Sequence, residues 1–132
     1  MSLRSENPAL PDKVQLPGWR RLLRATRHAC DGLRCTWRRE AAFRQEVLAV
    51  AALLPVAGLV RVSAVERAAL LAVLALVLIV ELLNTAIEAI VDLASPGRHP
   101  LAGAAKDAGA AAVMLALLLA GGVWAVVLWP RA

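Results

Sequence analysis

Val80-Glu-Leu-Leu-Asn-Thr-Ala-Ile-Glu-Ala-Ile-Val-Asp92 decides how this chain reads. The stretch closes a segment, about 68–91, that is otherwise Leu, Val, Ile and Ala and is long enough to cross a bilayer. An ionised acid at the bilayer centre costs about 2.5–3.5 kcal/mol even on lenient scales. A membrane helix therefore keeps several acids only where something pairs, protonates or coordinates them. At about 100° per residue, Glu81, Asn84, Glu88 and Asp92 fall at roughly 0°, 300°, 340° and 20°. All four share one stripe, and the other faces are apolar. The pattern predicts a polar seam turned toward other helices, where carboxylates can hold a divalent cation or move a proton.

Two further spans flank this one. Residues 43–60 form a short first span with Arg44, Gln45 and Glu46 at its start and Pro55 inside. Its length, about 27 Å at 1.5 Å per residue, suffices if Arg44 and Glu46 sit at headgroup level. Residues 61–67 read as a polar turn. The third span, 108–129, carries no charge. Gly103, Ala104, Ala105, Gly109, Ala110, Ala111 and Ala112 precede or open it, and residues this small permit close approach between helices.

Upstream, Trp19, Leu22, Leu23, Thr26, Ala29, Cys30, Leu33 and Trp37 fall within an arc of about 120° on a helical wheel. Arg20, Arg21, Arg24, Arg27, Arg34 and Arg38 lie outside that arc. An apolar stripe opposed by Arg describes a helix, about 18–39, lying in the headgroup layer and drawn to anionic lipid. Nucleic acid, the other partner of Arg-rich helices, does not suit a chain with membrane spans. Residues 1–17 contain Pro8, Pro11 and Pro17 without an apolar period and read as a disordered extension. No signal-peptide run occurs in the first 30 residues, so the spans are expected to direct insertion.

Composition agrees with one small membrane domain, residues 18–132. Of 132 residues, 60% are hydrophobic, against about 45–50% in soluble domains. Residues 1–44 hold 10 Lys and Arg and residues 92–107 hold 2, whereas residues 61–67 hold 2 and the C-terminus has Arg131. The positive-inside rule then places the N-terminus and the 92–107 loop in the cytoplasm. Glu88 would lie about 6 Å and Glu81 about 16 Å deeper along the helix than Asp92. Cys30 and Cys35, on that side, are expected to stay reduced. With His28 they lack a fourth ligand and a recognisable metal spacing.

The loop's end, Gly103-Ala104-Ala105-Lys106-Asp107, adds a cation beside these acids. A snorkelling Lys and a dipole-favoured Asp would explain the pair locally. Together with the carboxylates, the Lys also suits a magnesium-bound polyphosphate, most of what phosphoryl transfer requires of a protein. Neither a Walker-A sequence nor a protein-kinase glycine loop is present.

Three strings carry a resemblance: Glu40-Ala-Ala-Phe-Arg-Gln-Glu46, then Val80 to Asp92, then Ala105-Lys-Asp-Ala-Gly-Ala-Ala-Ala-Val113. They look like the small prokaryotic diacylglycerol kinases, from about Arg20 to Trp129. The combination of E-x-x-N-x-x-x-E-x-x-x-D in a membrane helix with a downstream A-K-D is the specific part. The resemblance implies an all-α membrane protein, an N-terminal amphipathic surface helix plus three transmembrane helices, assembled as a homotrimeric bundle with active sites shared between subunits. It implies transfer of the γ-phosphoryl of ATP, with Mg²⁺, to sn-1,2-diacylglycerol at a bacterial inner membrane, giving phosphatidic acid. Position by position, Glu81 takes the general-base place, Glu40 and Glu88 the metal carboxylates, and Asn84 and Asp92 supporting places. ATP would meet Arg21, His28, Glu40, Glu88, Gly97, Arg98, His99, Lys106 and Asp107. Trp37, Phe43, Gln45 and Glu81 would face the lipid substrate. At two positions the chain departs from its relatives, which commonly have Tyr where it has His28 and Glu where it has Gly97.

Other readings compete. Interhelical glue explains Asn84 but poorly explains two Glu. A proton-coupled exporter fits the small size and the intramembrane acids, yet the polar residues cluster toward one side with no path to the other. A related group phosphorylates undecaprenol, and the string from Glu40 to Glu46 favours diacylglycerol over that isoprenoid alcohol.

Overall fold

The computed structural model describes residues 17–97 and 99–129. The expectations for residues 1–16, Arg98 and Arg131 lie outside these. Four helices follow one another: α1 (Gly18–Arg39), α2 (Ala41–Leu59), α3 (Ala64–Ala94) and α4 (Pro100–Leu128). The chain divides within α1 into two units, one ending at Leu33 and one beginning at Arg34.

In the first unit, every described side chain is exposed, including Trp19, Leu22, Leu23 and the arginines between them. Arg20 sits over the Trp19 ring at 5.1 Å from its centroid, a cation–π contact. The helical pattern of Leu and Arg finds no apolar partner within this unit.

In the second unit, α2, α3 and α4 are each long and apolar enough to cross a membrane. At 1.5 Å per residue, α2 reaches about 28 Å while α3 and α4 exceed 40 Å, so the latter two overrun a hydrocarbon layer of about 30 Å. α3 packs against both α4 and α2. Its inward residues Leu70, Val73, Leu74 and Val77 recur at helical spacing and meet Ala116, Ala120, Trp124 and Val127 of α4 and Ala57 of α2. Small alanines facing Leu and Val let the helices close in. The buried Trp124 indole N–H donates to the Leu70 carbonyl at 3.4 Å. Outward residues such as Leu83, Ile90, Leu115 and Leu118 stay exposed, as they must to face lipid or another chain.

α3 starts at Ala64, inside the stretch the sequence reading took as a turn. The reason is a capping box: the Glu66 amide donates to Ser63 Oγ at 3.2 Å, and Glu66 Oε2 accepts from the Ser63 amide at 2.7 Å. Glu66 thereby belongs to the first turn of a helix.

One turn further, Arg67 solves a second end problem. The last carbonyls of α2 have no donors of their own. The guanidinium of Arg67 donates to the carbonyls of Ala57, Gly58 at 2.6 Å and Val60 at 3.1 Å. A positive charge at a helix C-terminus is also favoured by the dipole. Arg67 thus clamps the α2–α3 turn. Arg67→Ala should destabilise the protein by about 1–3 kcal/mol, the cost of stranding partly buried acceptors. Thermal unfolding in detergent micelles measures this, and an unchanged midpoint would remove the clamp from the account.

Candidate active site

The polar stripe on α3 is graded by depth. Glu81 is 5% exposed, Asn84 and Glu88 are half-buried, and Asp92 is exposed. An acid so enclosed is expensive unless its surroundings are polar. Here the nearest charged groups are other carboxylates, whose repulsion adds to that cost unless a cation or shared protons offset it. Glu81 lies within electrostatic range of Glu88 on its own helix, of Glu40 and of Glu46.

Glu40 and Glu46 reach this cluster from the start of α2. Glu40 is the N-cap of α2, in an extended conformation with φ −102° and ψ 117°, and its side chain makes no capping hydrogen bond. The carboxylate that normally satisfies a helix start is left for other work. The turn before it is held instead by Arg44, which donates to the Trp37 carbonyl at 3.1 Å and the Arg38 carbonyl at 3.5 Å. Glu46 is half-buried, and its Oε2 is enclosed with no hydrogen-bond donor in the described chain.

Glu88 has a specific partner. Asn84 Nδ2 donates to Glu88 Oε1 at 3.1 Å, one helical turn away. The bond restrains the rotamer of Glu88 and engages one of its oxygens. Asn84 Oδ1 is buried without a donor.

At the exposed end, Lys106 Nζ of α4 meets Asp92 Oδ1 at 2.6 Å. The pair lines a cleft of about 490 Å³ together with Val91, Ser95, Gly97, His99 and Gly103. His99 shapes that cleft as the N-cap of α4, its Nδ1 accepting the Leu101 amide at 3.2 Å, with Pro100 at the first helical position. With Nδ1 accepting, the neutral ring carries its proton on Nε2 and remains a donor there. Ser95 Oγ donates to the Gly97 carbonyl at 3.3 Å and tightens the turn. Asp107 is exposed beside Lys106.

A separate apolar groove of about 280 Å³ runs among Ala49, Val50, Leu53, Leu74, Leu117 and Trp124, with Glu46 as its one charged lining residue. Its chemistry suits a hydrocarbon chain whose polar end reaches a carboxylate.

Of the residues singled out from the sequence, the second unit holds Glu40, Glu81, Asn84 and Glu88 as one cluster and Asp92, Gly97, His99 and Lys106 as one cleft. Arg21 and His28 are exposed in the first unit. Trp37 and Gln45 are exposed and Phe43 is buried. Among the described residues, no three His, Cys, Asp or Glu side chains converge into a cation cage. Magnesium does not ask for one, since it commonly uses one or two carboxylates and takes its other ligands from water and substrate phosphate. Glu40, free of capping, and Glu88, held by Asn84, provide such hard oxygen donors.

Glu46, which the sequence places at headgroup level and not among the site residues, is half-buried beside Glu81. The signal for it was present: positions 46, 50, 53 and 57 make one helical stripe, and Val50, Leu53 and Ala57 of that stripe belong to the core or pack against it.

Comparison with known proteins gives a consistent picture. Residues 27–128 match the family model described as prokaryotic diacylglycerol kinase. The chain is 51% identical over 111 residues to a diacylglycerol kinase of Pseudomonas aeruginosa, covering 84% of this chain and 90% of that one. It is 44% identical over 112 residues to the Escherichia coli K12 diacylglycerol kinase, covering 85% and 92%. A Haemophilus influenzae diacylglycerol kinase is 35% identical over 112 residues, covering 85% and 95%.

The Asp92–Lys106 pair lies at the surface and orients Lys106 more than it stabilises the fold. Asp92→Asn should leave the unfolding midpoint in place and make Lys106 react faster with an amine-modifying reagent, read by mass spectrometry of the labelled peptide. Unchanged labelling would show that Asp92 does not restrain it.

Proposed function

The chain belongs to the prokaryotic diacylglycerol kinase family, and from that premise we propose that it transfers the γ-phosphoryl group of ATP to the free hydroxyl of sn-1,2-diacylglycerol, giving phosphatidic acid. The graded stripe on α3 carries this reading: the enclosed acid Glu81 at one end, the amide-held Glu88 in the middle, and Asp92 at the exposed end, paired with Lys106 of α4 in a polar cleft.

Phosphoryl transfer is chiefly positioning and charge neutralisation. Glu81, deepest in the stripe, takes the proton of the lipid hydroxyl, a step in which a well-placed carboxylate contributes about 10²–10⁴-fold. Glu40 and Glu88 would hold Mg²⁺, whose charge would offset that of the phosphate oxygens. Lys106 and Asp107 meet the phosphates and ribose, His99 offers its Nε2 proton at the cleft, and family resemblance adds Arg21, His28, Gly97 and Arg98 as nucleotide-binding residues. Trp37, Phe43 and Gln45 stand toward the lipid.

The assembly is a homotrimer whose sites are shared between subunits. The enclosed Glu46 Oε2 supports this, because a buried acceptor with no donor among the described residues is rare and a neighbouring chain or substrate would supply one. α1 lies in the headgroup layer, a reading supported by its exposed Trp19, Leu22 and Leu23 opposite arginines. The protein sits in a bacterial inner membrane with its N-terminus and α3–α4 loop on the cytoplasmic side, where ATP is available, a reading supported by the Lys and Arg counts.

In mixed micelles with Mg²⁺ and labelled ATP, the protein should phosphorylate diacylglycerol faster than undecaprenol. The reverse order would transfer the proposal to an isoprenoid acceptor, and no lipid product at all would end it. Glu81→Gln keeps shape but cannot take a proton, so kcat should fall about 10²–10⁴-fold while the oligomer persists on size exclusion. Near-normal turnover would refute the base role. Glu88→Gln should raise the Mg²⁺ concentration needed for half-maximal rate, and an unshifted titration would remove Glu88 as a ligand.

A further inference from the structure

Glycine is common in membrane helices, and most glycines here leave room to spare. A Cβ built on Gly18, Gly32, Gly58, Gly97, Gly103, Gly121 or Gly122 would meet nothing within 4 Å. Gly109 differs from all of them. It is buried on the face of α4 that meets α3, and a Cβ there would overlap Asn84 Oδ1, with Asn84 Cγ at 3.3 Å and Asn84 Cβ at 3.9 Å. The three atoms nearest to that added atom all belong to Asn84.

We propose that Gly109 is a positioning residue for Glu88: the space left by its absent side chain seats the Asn84 amide, and the seated amide holds the Glu88 carboxylate. Three observations join. Asn84 Oδ1 occupies the volume a side chain at 109 would take. Its amide nitrogen, fixed by the same planar group, donates to Glu88 Oε1 at 3.1 Å. Among the described residues Oδ1 has no donor, so packing against Gly109 is what holds that end of the amide.

The geometry decides where the strain of a larger residue falls. Alanine at 109 suits a helix better than glycine, and the atom it would strike is the tip of a side chain, not backbone. The helix therefore survives and the amide rotates. Because Oδ1 and Nδ2 turn together, any rotation that clears the added methyl carries Nδ2 away from Glu88. The damage reaches Glu88 through Asn84, with α3–α4 packing intact. Only the catalytic consequence of this inference rests on Glu88 acting at the site as proposed above. The steric part stands on the coordinates alone.

Four proteins in detergent micelles test it: Gly109→Ala, Asn84→Ala, the double variant, and Gly122→Ala as a glycine on the same helix with open space around it. In Gly109→Ala the side-chain amide resonances of Asn84 should shift in ¹H–¹⁵N spectra, and in Gly122→Ala they should not. Losing a group that orients a metal-binding carboxylate costs about 10–100-fold in metal affinity or activity. Gly109→Ala should show a loss of that size in kcat or in Mg²⁺ half-saturation, with the unfolding midpoint near that of the parent. The double variant should match Asn84→Ala alone, because the two changes act through one group. Should Gly109→Ala fail to fold, the double variant, which removes the overlap, should fold. The inference is overturned if the Asn84 resonances stay in place in Gly109→Ala, if the losses from Gly109 and Asn84 add in full, or if the double variant is as unfolded as Gly109→Ala. The resonance readout needs no turnover, so a failed kinase reading and a failed seat for Asn84 remain separate results.

Discussion

Acids enclosed at membrane depth must be provided for, and that requirement organises this protein. Glu81, Glu88 and the enclosed oxygen of Glu46 cannot face hydrocarbon without a large cost. The polar stripe of α3 therefore has to turn inward, and once it does, the register of α3 against α2 and α4 is set. Leu70, Val73, Leu74 and Val77 continue the same inward side toward the other end of the helix, where the contacts are apolar and close. One helix thus supplies the core at one end and the site at the other.

Local features follow from keeping that site open and charged. Glu40 stands at a helix start without capping it. His99 takes over the cap of α4, and the arginines Arg44 and Arg67 satisfy carbonyls at the ends of α1 and α2. Arg44 and Arg67 close backbone ends without drawing on the carboxylates of the α3 stripe, and His99 caps through Nδ1 alone, which keeps Nε2 for the cleft. Two of those carboxylates are tied, Glu88 by Asn84 and Asp92 by Lys106; both ties orient a charged group.

Much of this was legible in the sequence, because period and charge are local signals. The 3.6-residue rhythm marks α1, the apolar lengths mark α2, α3 and α4, and the spacing 81, 84, 88, 92 marks one stripe. Helix ends were less legible. α3 was expected near Ala68 although Ser63 and Glu66 spell a capping box, and α4 runs back to Pro100, well before the uncharged part that identified it. The short length of the first span places Glu46 at headgroup level; only its phase with Val50, Leu53 and Ala57 betrays it. Gly109 was legible as one of several small residues and no more. Its contact with Asn84 depends on the relative register of two helices, which no single segment encodes. The roles of Arg21 and His28 rest on family resemblance, since their unit by itself offers them no partner site.

The central claim is that the α3 stripe faces a polar interior open to water at the Asp92 end. Spin labels placed singly at 81, 84, 88 and 92, and at 83, 87 and 90, in a protein whose Cys30 and Cys35 have been replaced, report collision with oxygen in lipid or with a water-soluble nickel chelate. Labels at 88 and 92 should meet the chelate, those at 83, 87 and 90 should meet oxygen, and 81 and 84 should be shielded from lipid. High oxygen collision at 81, 84 and 88 would place the carboxylates among acyl chains and contradict the account at its root.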